Sequence, residues 1–340
     1  MRTGPALVLA LALLAGVMGL ERALARRADA APPAVERLVP PAALAGRTVA
    51  AFRIETGGEA RIYVRARGLW RAREAFGAVC VPEEVAALLA SVVEARGTLV
   101  GLWPESAARA GLADPGGLRL SLHGARLLSA PDEDQLVRVE YGPERSGAVF
   151  AHLAGEERVL SVDRDPRRHL PDAGRPAPLV DTRVLAGCFA PGFAGFERIA
   201  VRQGASALEI ESDAPGADDL QRVWTVASGA RREQAITWRV GGYKSLWIRL
   251  RWEQPADPRL AAALGLDPPY ATIALAPNAG EPFEIHVSAP DAANRVHLWN
   301  RATNVVGRVR ADLLPLLVPQ HEDFTREAGG NPWERWLAPR

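Results

Sequence analysis

Six histidines, two cysteines and a few acidic clusters are the residues of this chain whose types could do chemistry. The histidines are His123, His152, His169, His286, His297 and His321, and none pair at i+2, i+3 or i+4. A zinc site on one helix or strand needs such local pairs, so no local site is visible. Cys80 and Cys188 stand far apart, with no Cys-x-x-Cys spacing. They could pair across the chain in an oxidising compartment, or serve as two separate buried thiols, which is the favoured reading. Asp132-Glu133-Asp134 and the group Asp213, Asp218 and Asp219 offer several carboxylates, the chemistry that calcium takes. They lack the spacing of an EF-hand loop, and solvated turns are preferred. Asp163, Asp165 and His169 could suggest acid–base work, but Arg164, Arg167 and Arg168 among them point to a charge-mixed solvated loop.

Longer motifs are missing from the sequence. No Gly-x-Gly-x-x-Gly follows a strand, no phosphate loop ending in Gly-Lys-Ser/Thr exists, and there is no Gly-x-Ser-x-Gly elbow. The chain is therefore not expected to be the ATPase of a transporter. We assign no catalytic, cofactor-binding or metal-binding residue from the sequence, and expect no enzyme and no cofactor. With 41 basic and 40 acidic residues the net charge is +1, which argues against a general nucleic-acid binder. All but one of the basic residues are Arg, the exception being Lys244; they are spread along the chain, as a GC-rich genome would leave them. Hydrophobic residues at 48% and charged residues at 24% match ordinary globular usage, and 340 residues suggest about two domains.

The elements that would position these residues are mostly strands. Thr48 to Ile54 and the alternating run Arg61 to Arg67 flank Gly57-Gly58 and predict a hairpin, with Trp70 after it. Pro82 to Arg96 predicts a helix: Pro82, Glu83 and Glu84 suit its first turn. Val85, Leu88, Leu89, Val92 and Val93 share one face, and Gly97 is the expected left-handed cap. Thr98 to Trp103 predicts a strand, and Pro104 to Ala110 a helical turn ending at Gly111. Leu118 to Leu122, Leu136 to Tyr141, Val149 to Leu153 and Arg158 to Val162 predict four more strands, and 163–180 a connector.

The pattern then begins again. Phe196 to Val201 and Ala207 to Glu211 form a hairpin candidate about Gly204, followed by Trp224. Gly111-Leu112-Ala113-Asp114-Pro115 has a counterpart in Gly265-Leu266-Asp267-Pro268, about 154 residues on. Strands follow at Ala271 to Leu275, Phe283 to Val287, Arg295 to Trp299 and Val305 to Val309, with a helical turn at 311–318. The expected fold is α+β and β-rich, two diverged tandem copies of a hairpin–helix–antiparallel-sheet unit, at 47–190 and 191–319. The second copy is expected to lack the helix, since Leu246, Ile248, Leu250 and Trp252 alternate within Ala235 to Trp252. A polar tail, 320–340, carries Trp333 and Trp336, a pair expected to pack back on its own domain rather than on a partner.

Ala6 to Leu20 is an unbroken apolar run behind Arg2. Residues 1–27 are read as a signal peptide or membrane anchor and the Pro- and Ala-rich 28–46 as a linker. Ala23-Leu24-Ala25 and Ala28-Asp29-Ala30 offer cleavage sites. Arg22, Arg26 and Arg27 follow the run, which for an uncleaved anchor favours a cytoplasmic body; cleavage at the later site removes all three.

The order of features over residues 47–318 resembles the bacterial domain of unknown function 4340 family. The features are the hairpin and Trp of Arg61 to Trp70, the helix Pro82 to Arg96, and the turn Gly111 to Pro115. Asp181-Thr182-Arg183-Val184-Leu185 followed by Phe196-Glu197-Arg198-Ile199 resembles the family's link between copies. The resemblance implies an exported body beside gliding-type ABC transporter operons. That is a non-catalytic extracytoplasmic accessory or scaffold, inner-membrane anchored or released to the periplasm. Its partners would be envelope proteins such as the permease and auxiliary subunits, not nucleic acid. The alternative is an exported hydrolase or a glycan- or ligand-binding protein with its site between the two copies.

Overall fold

Alternation of apolar and polar residues, strongest from Leu118 to Val162 and from Ala271 to Arg310, becomes two large antiparallel sheets. The computed structural model describes residues 34–112, 114, 117–124, 134–170, 179–213, 222–327 and 330–333. The fold is α+β and β-rich.

The first half holds β1 (Val35–Arg37), β2 (Ala51–Thr56), β3 (Glu59–Ala66), β4 (Leu69–Ala72), β5 (Ala78–Val79), helix α1 (Pro82–Val93), β6 (Arg96–Leu102), β7 (Leu118–His123), β8 (Gln135–Tyr141), β9 (Val149–Leu153) and β10 (Arg158–Val162). The second holds β11 (Phe196–Gln203), β12 (Ser206–Ser212), β13 (Trp224–Ser228), β14 (Arg231–Ala235), helix α2 (Thr237–Arg249), β15 (Gln254–Ala256), β16 (Ala271–Pro277), β17 (Phe283–Val287), β18 (Arg295–Asn300) and β19 (Val305–Arg310). The first sheet runs β5-β4-β3-β2-β7-β8-β9-β10-β6, with β1 added at the end. The second runs β14-β13-β12-β11-β16-β17-β18-β19-β15. Each strand number in the second order is nine higher than its counterpart in the first.

The expected hairpins form. Thr56 pairs with Glu59 across Gly57 and Gly58, whose φ values of 58° and 83° suit a tight turn of the hand that strand twist favours. Gln203 pairs with Ser206 across Gly204 and Ala205. Helix α1 starts at Pro82 and buries Val85, Leu88 and Val92, but it ends at Glu94, whose N–H donates to Ala90 O. Gly97 is not its cap. It lies inside β6, opposite Val162, where a Cβ would stand 2.5 Å from Ser161 O. Glycine is needed there for close strand approach, not for a left-handed turn.

The larger correction is in the second half. Ala235 to Trp252 is not β-rich: Thr237–Arg249 is helix α2. Val240, Tyr243 and Trp247 are buried at i, i+3 and i+7, and Arg239, Tyr243 and Leu246 at i, i+4 and i+7, so the face follows the helical period. Gly241-Gly242 hides this in the sequence, since each glycine costs a helix about 1 kcal/mol relative to Ala. Gly242 has a packing reason: a Cβ there would lie 2.6 Å from Asn331 Nδ2.

One continuous hydrophobic core runs through both halves. The segment after 179 stitches them. Val81 N–H donates to Leu179 O, Asp181 N–H to Val79 O, Val184 N–H to Leu250 O and Trp252 N–H to Thr182 O. Arg71 donates to Thr303 O at 2.7 Å, and Asn300 Nδ2 to Val184 O at 2.9 Å. Trp333 closes the second half, fully buried against Phe324 and Tyr243, with its Nε1–H donating to Leu316 O at 3.1 Å. Trp336 lies outside the described residues. No helix among the described residues is long and apolar enough to cross a membrane. The run Ala6 to Leu20, both Ala-x-Ala sites and the arginines between them lie outside the described residues.

Candidate functional site: a charged groove on the first sheet

Strand pleating sorts β2, β7 and β8 into two faces. Phe52, Ile54, Leu118, Leu120, Leu122, Val137, Val139 and Tyr141 turn to the core. Arg53, Glu55, Arg119, Arg138 and Glu140 take the alternate positions on the other face. Register places Glu55 opposite Arg119 and Arg119 opposite Glu140, a row of alternating charge across three neighbouring strands.

The row is a linked ion-pair network. Arg53 Nη2 lies 2.6 Å from Glu55 Oε1, and Arg119 Nη1 lies 3.4 Å from Glu55 Oε2. Arg119 Nε lies 3.3 Å from Glu140 Oε1, which also accepts from Arg138 Nη2 at 3.0 Å. Glu140 is the most enclosed, with 14% of its side chain exposed, while Arg119 is 54% exposed. Arg53 Nε is buried and has no hydrogen-bond partner. Beside this row the hairpin tip (Thr56 to Gly58, Ala60) and the loop residues Leu112, Asp114 and Gly117 enclose a groove of about 660 Å³. Asp114 accepts from Arg145 Nη2 at 2.7 Å. The groove lies wholly on the first half.

The residues singled out in the sequence sit elsewhere. His123 is buried with Nε2 2.9 Å from Ser121 Oγ. His152 lies flat on Trp103, ring centres 4.2 Å apart, with Nδ1 3.3 Å from Arg158 O. His286 Nδ1 is 3.0 Å from Leu266 O, and its ring meets Trp299 edge-on. His321 is buried at the start of the last helical turn, and His169 is half-buried in the turn Pro166–His169. Burial holds His297 below the usual imidazole pKa; Arg308 adds to this and Asp291 opposes it. Among the described residues no group of three or more His, Cys, Asp or Glu is placed to hold a metal ion.

Both cysteines are free. Burial pushes the Cys80 thiol up to about 12. It pushes Cys188 up to about 11, against an Asn300 Nδ2–H that donates to its Sγ at 3.0 Å. Each is therefore a neutral packing group at ordinary pH. Asp163 accepts from Arg96 N–H and Asp165 holds the Arg167 guanidinium, so both carboxylates are fixed in caps and ion pairs. Asp134 pairs with Arg47 and Asp213 accepts from Val223 N–H. Asp132, Glu133, Asp218 and Asp219 lie outside the described residues.

The lone lysine is structural. Lys244 is buried on α2 with Nζ 4.9 Å from the centre of the buried Trp224 ring. Of the eight described tryptophans, Trp224, Trp247, Trp252 and Trp333 are buried, and Trp299 is covered by Arg301 at 3.9 Å.

Sequence reasoning missed the Glu55–Arg119–Glu140 row. Its one signal was a charge at Arg53, Arg119, Arg138 and Glu140, outward positions of runs read as strands, with Glu55 just past the end of the first; the register that aligns them was not visible. No protein-family model matches the chain, and no curated protein was found to be similar to it.

Proposed function

We propose that the chain is two diverged copies of one unit, acting as a non-catalytic extracytoplasmic accessory or scaffold protein of the cell envelope. The duplication is supported by more than the strand order. The turn after β6 has hydrogen bonds Ala107 N to Pro104 O, Ala110 N to Ser106 O, Gly111 N to Ala108 O and Leu112 N to Ala107 O. The turn after β15 has Ala261 N to Pro258 O, Leu264 N to Leu260 O, Gly265 N to Ala262 O and Leu266 N to Ala261 O. Every atom in the second set lies 154 positions after its counterpart, and Gly111 and Gly265 share φ = 69°. Each copy also opens on a short extended segment: Arg37 faces Arg96, with Leu38 N–H donating to Ala95 O, as Arg183 faces Arg251, with Val184 N–H donating to Leu250 O. In this reading α2 is the counterpart of α1, and Asp181 to Leu185 begins the second copy.

A binding role, not catalysis, is supported by how the reactive groups are used. The thiols are neutral and packed, and the groove's carboxylates are clamped by arginines. The observation that carries the reading is the groove itself, a solvent-open, charge-lined face on the first copy. The apolar run Ala6 to Leu20 and the family resemblance supply the envelope placement and the transporter-type partners. A periplasm-dependent reporter fused after Arg340 should be active, and crosslinked capture from membranes should recover a permease or auxiliary subunit. An inactive reporter alongside an active cytoplasmic one would overturn the placement.

A further inference from the structure

We propose that the groove on the first sheet binds a short peptide through its free ammonium and free carboxylate ends. The inference goes beyond the accessory reading and needs no assumption about where the chain resides. A volume of about 660 Å³ is the size of an ordinary ligand site.

The groove presents both signs of charge in a spatial order. Arg53 stands on β2, Arg119 on β7, and Glu140 on β8, with Asp114 on the loop beside them. Two strand spacings separate the Arg53 and Glu140 strands by about 10 Å. Three extended residues span about 10 Å, so a tripeptide can set its carboxylate on Arg53 and Arg119 and its ammonium on Asp114 and Glu140.

Binding would exchange existing pairs for ligand contacts, since Arg53 holds Glu55 at 2.6 Å and Arg145 holds Asp114 at 2.7 Å. Arg119 holds Glu55 and Glu140 at 3.4 and 3.3 Å, both long for charge-assisted bonds. On the half-exposed Arg119, pairs of that length are worth about 1 kcal/mol, so exchanging one for a ligand carboxylate costs little. At the rim, Gly57 and Gly58 have open space where side chains would stand.

The fold does not require these charges. Counting from the hairpin turns, the row Glu55–Arg119–Glu140–His152 corresponds to Arg202–Thr272–His286–Trp299. Arg53 corresponds to Ala200 by the same count. The second sheet reaches the same strand order without the alternating row, so the row answers to something other than folding.

The test is calorimetric titration of the purified chain with trialanine, N-acetyl-trialanine, trialanine amide and the doubly capped peptide. Trialanine should bind at one saturable site, and capping either end should weaken it about tenfold. Arg119→Gln should narrow the difference between acid and amide, and Asp114→Asn the difference between free and acetylated amines. Both side chains are exposed enough for the variants to fold, which far-UV circular dichroism checks. No saturable binding, equal binding of the doubly capped peptide, or undiminished binding by both variants would overturn the proposal. Such a null leaves the envelope placement standing, and a mislocalised reporter leaves peptide binding standing.

Discussion

Replacing Trp333 with Ala should unfold the second half at a markedly lower temperature. The indole is fully buried, stacks on Phe324 at 5.2 Å and meets Tyr243 at 5.4 Å. Truncating a buried Trp costs about 3–5 kcal/mol, from lost transfer energy and the cavity left behind. The hydrogen bond to Leu316 O adds about 1 kcal/mol net. At about 2–4 °C per kcal/mol for a unit of this size, Tm should fall by roughly 8–24 °C. Trp333→Phe keeps the ring contacts and loses the hydrogen bond, so it should fall by only a few degrees. Thermal melts followed by tryptophan fluorescence and circular dichroism read both variants. A loss under about 1 kcal/mol for Trp333→Ala would refute the reasoning, because the tail would then not be part of the core.

Three further outcomes follow from the same packing. Gly97→Ala should destabilise the first half by about 1–3 kcal/mol in urea melts, since the new Cβ meets backbone at Ser161; an unchanged midpoint would contradict the close approach. Both thiols should resist Ellman's reagent at pH 8 in the native protein and react fully in urea; rapid native reaction would contradict their raised pKa values. His297 has its folded-state pKa below the unfolded value of about 6.5, so its neutral form is the folded one. Its contribution is fully present above pH 6.5 and is lost as pH falls toward the lower folded value. Stability should drop across that window in acid, and His297→Gln should flatten the slope.

Three strands were legible to the residue, while the first hairpin's strands were displaced by one to three residues at their ends. Val149–Leu153, Arg158–Val162 and Phe283–Val287 have the limits that alternation predicts. Helix α2 was not legible, because Gly241-Gly242 and the Leu246-x-Ile248-x-Leu250 alternation outweighed a helical face that packs into the core, and Asn331 fills the space beside Gly242. Gly97 was misread for a related reason: a glycine after a helix suits a cap and a tight strand contact equally, and sequence cannot see Ser161 across the ladder. The thiols' neutrality depends on burial, which spacing does not report.

The charged row is the feature least visible in sequence, and the second half supplies the control for it. Substituting Glu55→Arg, Arg119→Thr and Glu140→His together gives the first sheet the residues its counterpart already carries. The inward residues Ile54, Leu120 and Val139 stay in place, and they are fully or nearly fully buried. Each ion pair removed is partly solvated and worth about 0–1 kcal/mol, and long arginine side chains regain freedom when unpaired. Arg53 and Arg138 lose their carboxylates, but both have part of their side chains open to water. The triple variant should therefore stay folded, within about 2 kcal/mol of the parent in urea melts, while losing the peptide dependence that the row confers. If it fails to fold, the row is a structural girder of the first sheet, and its absence from the second needs a compensating contact there.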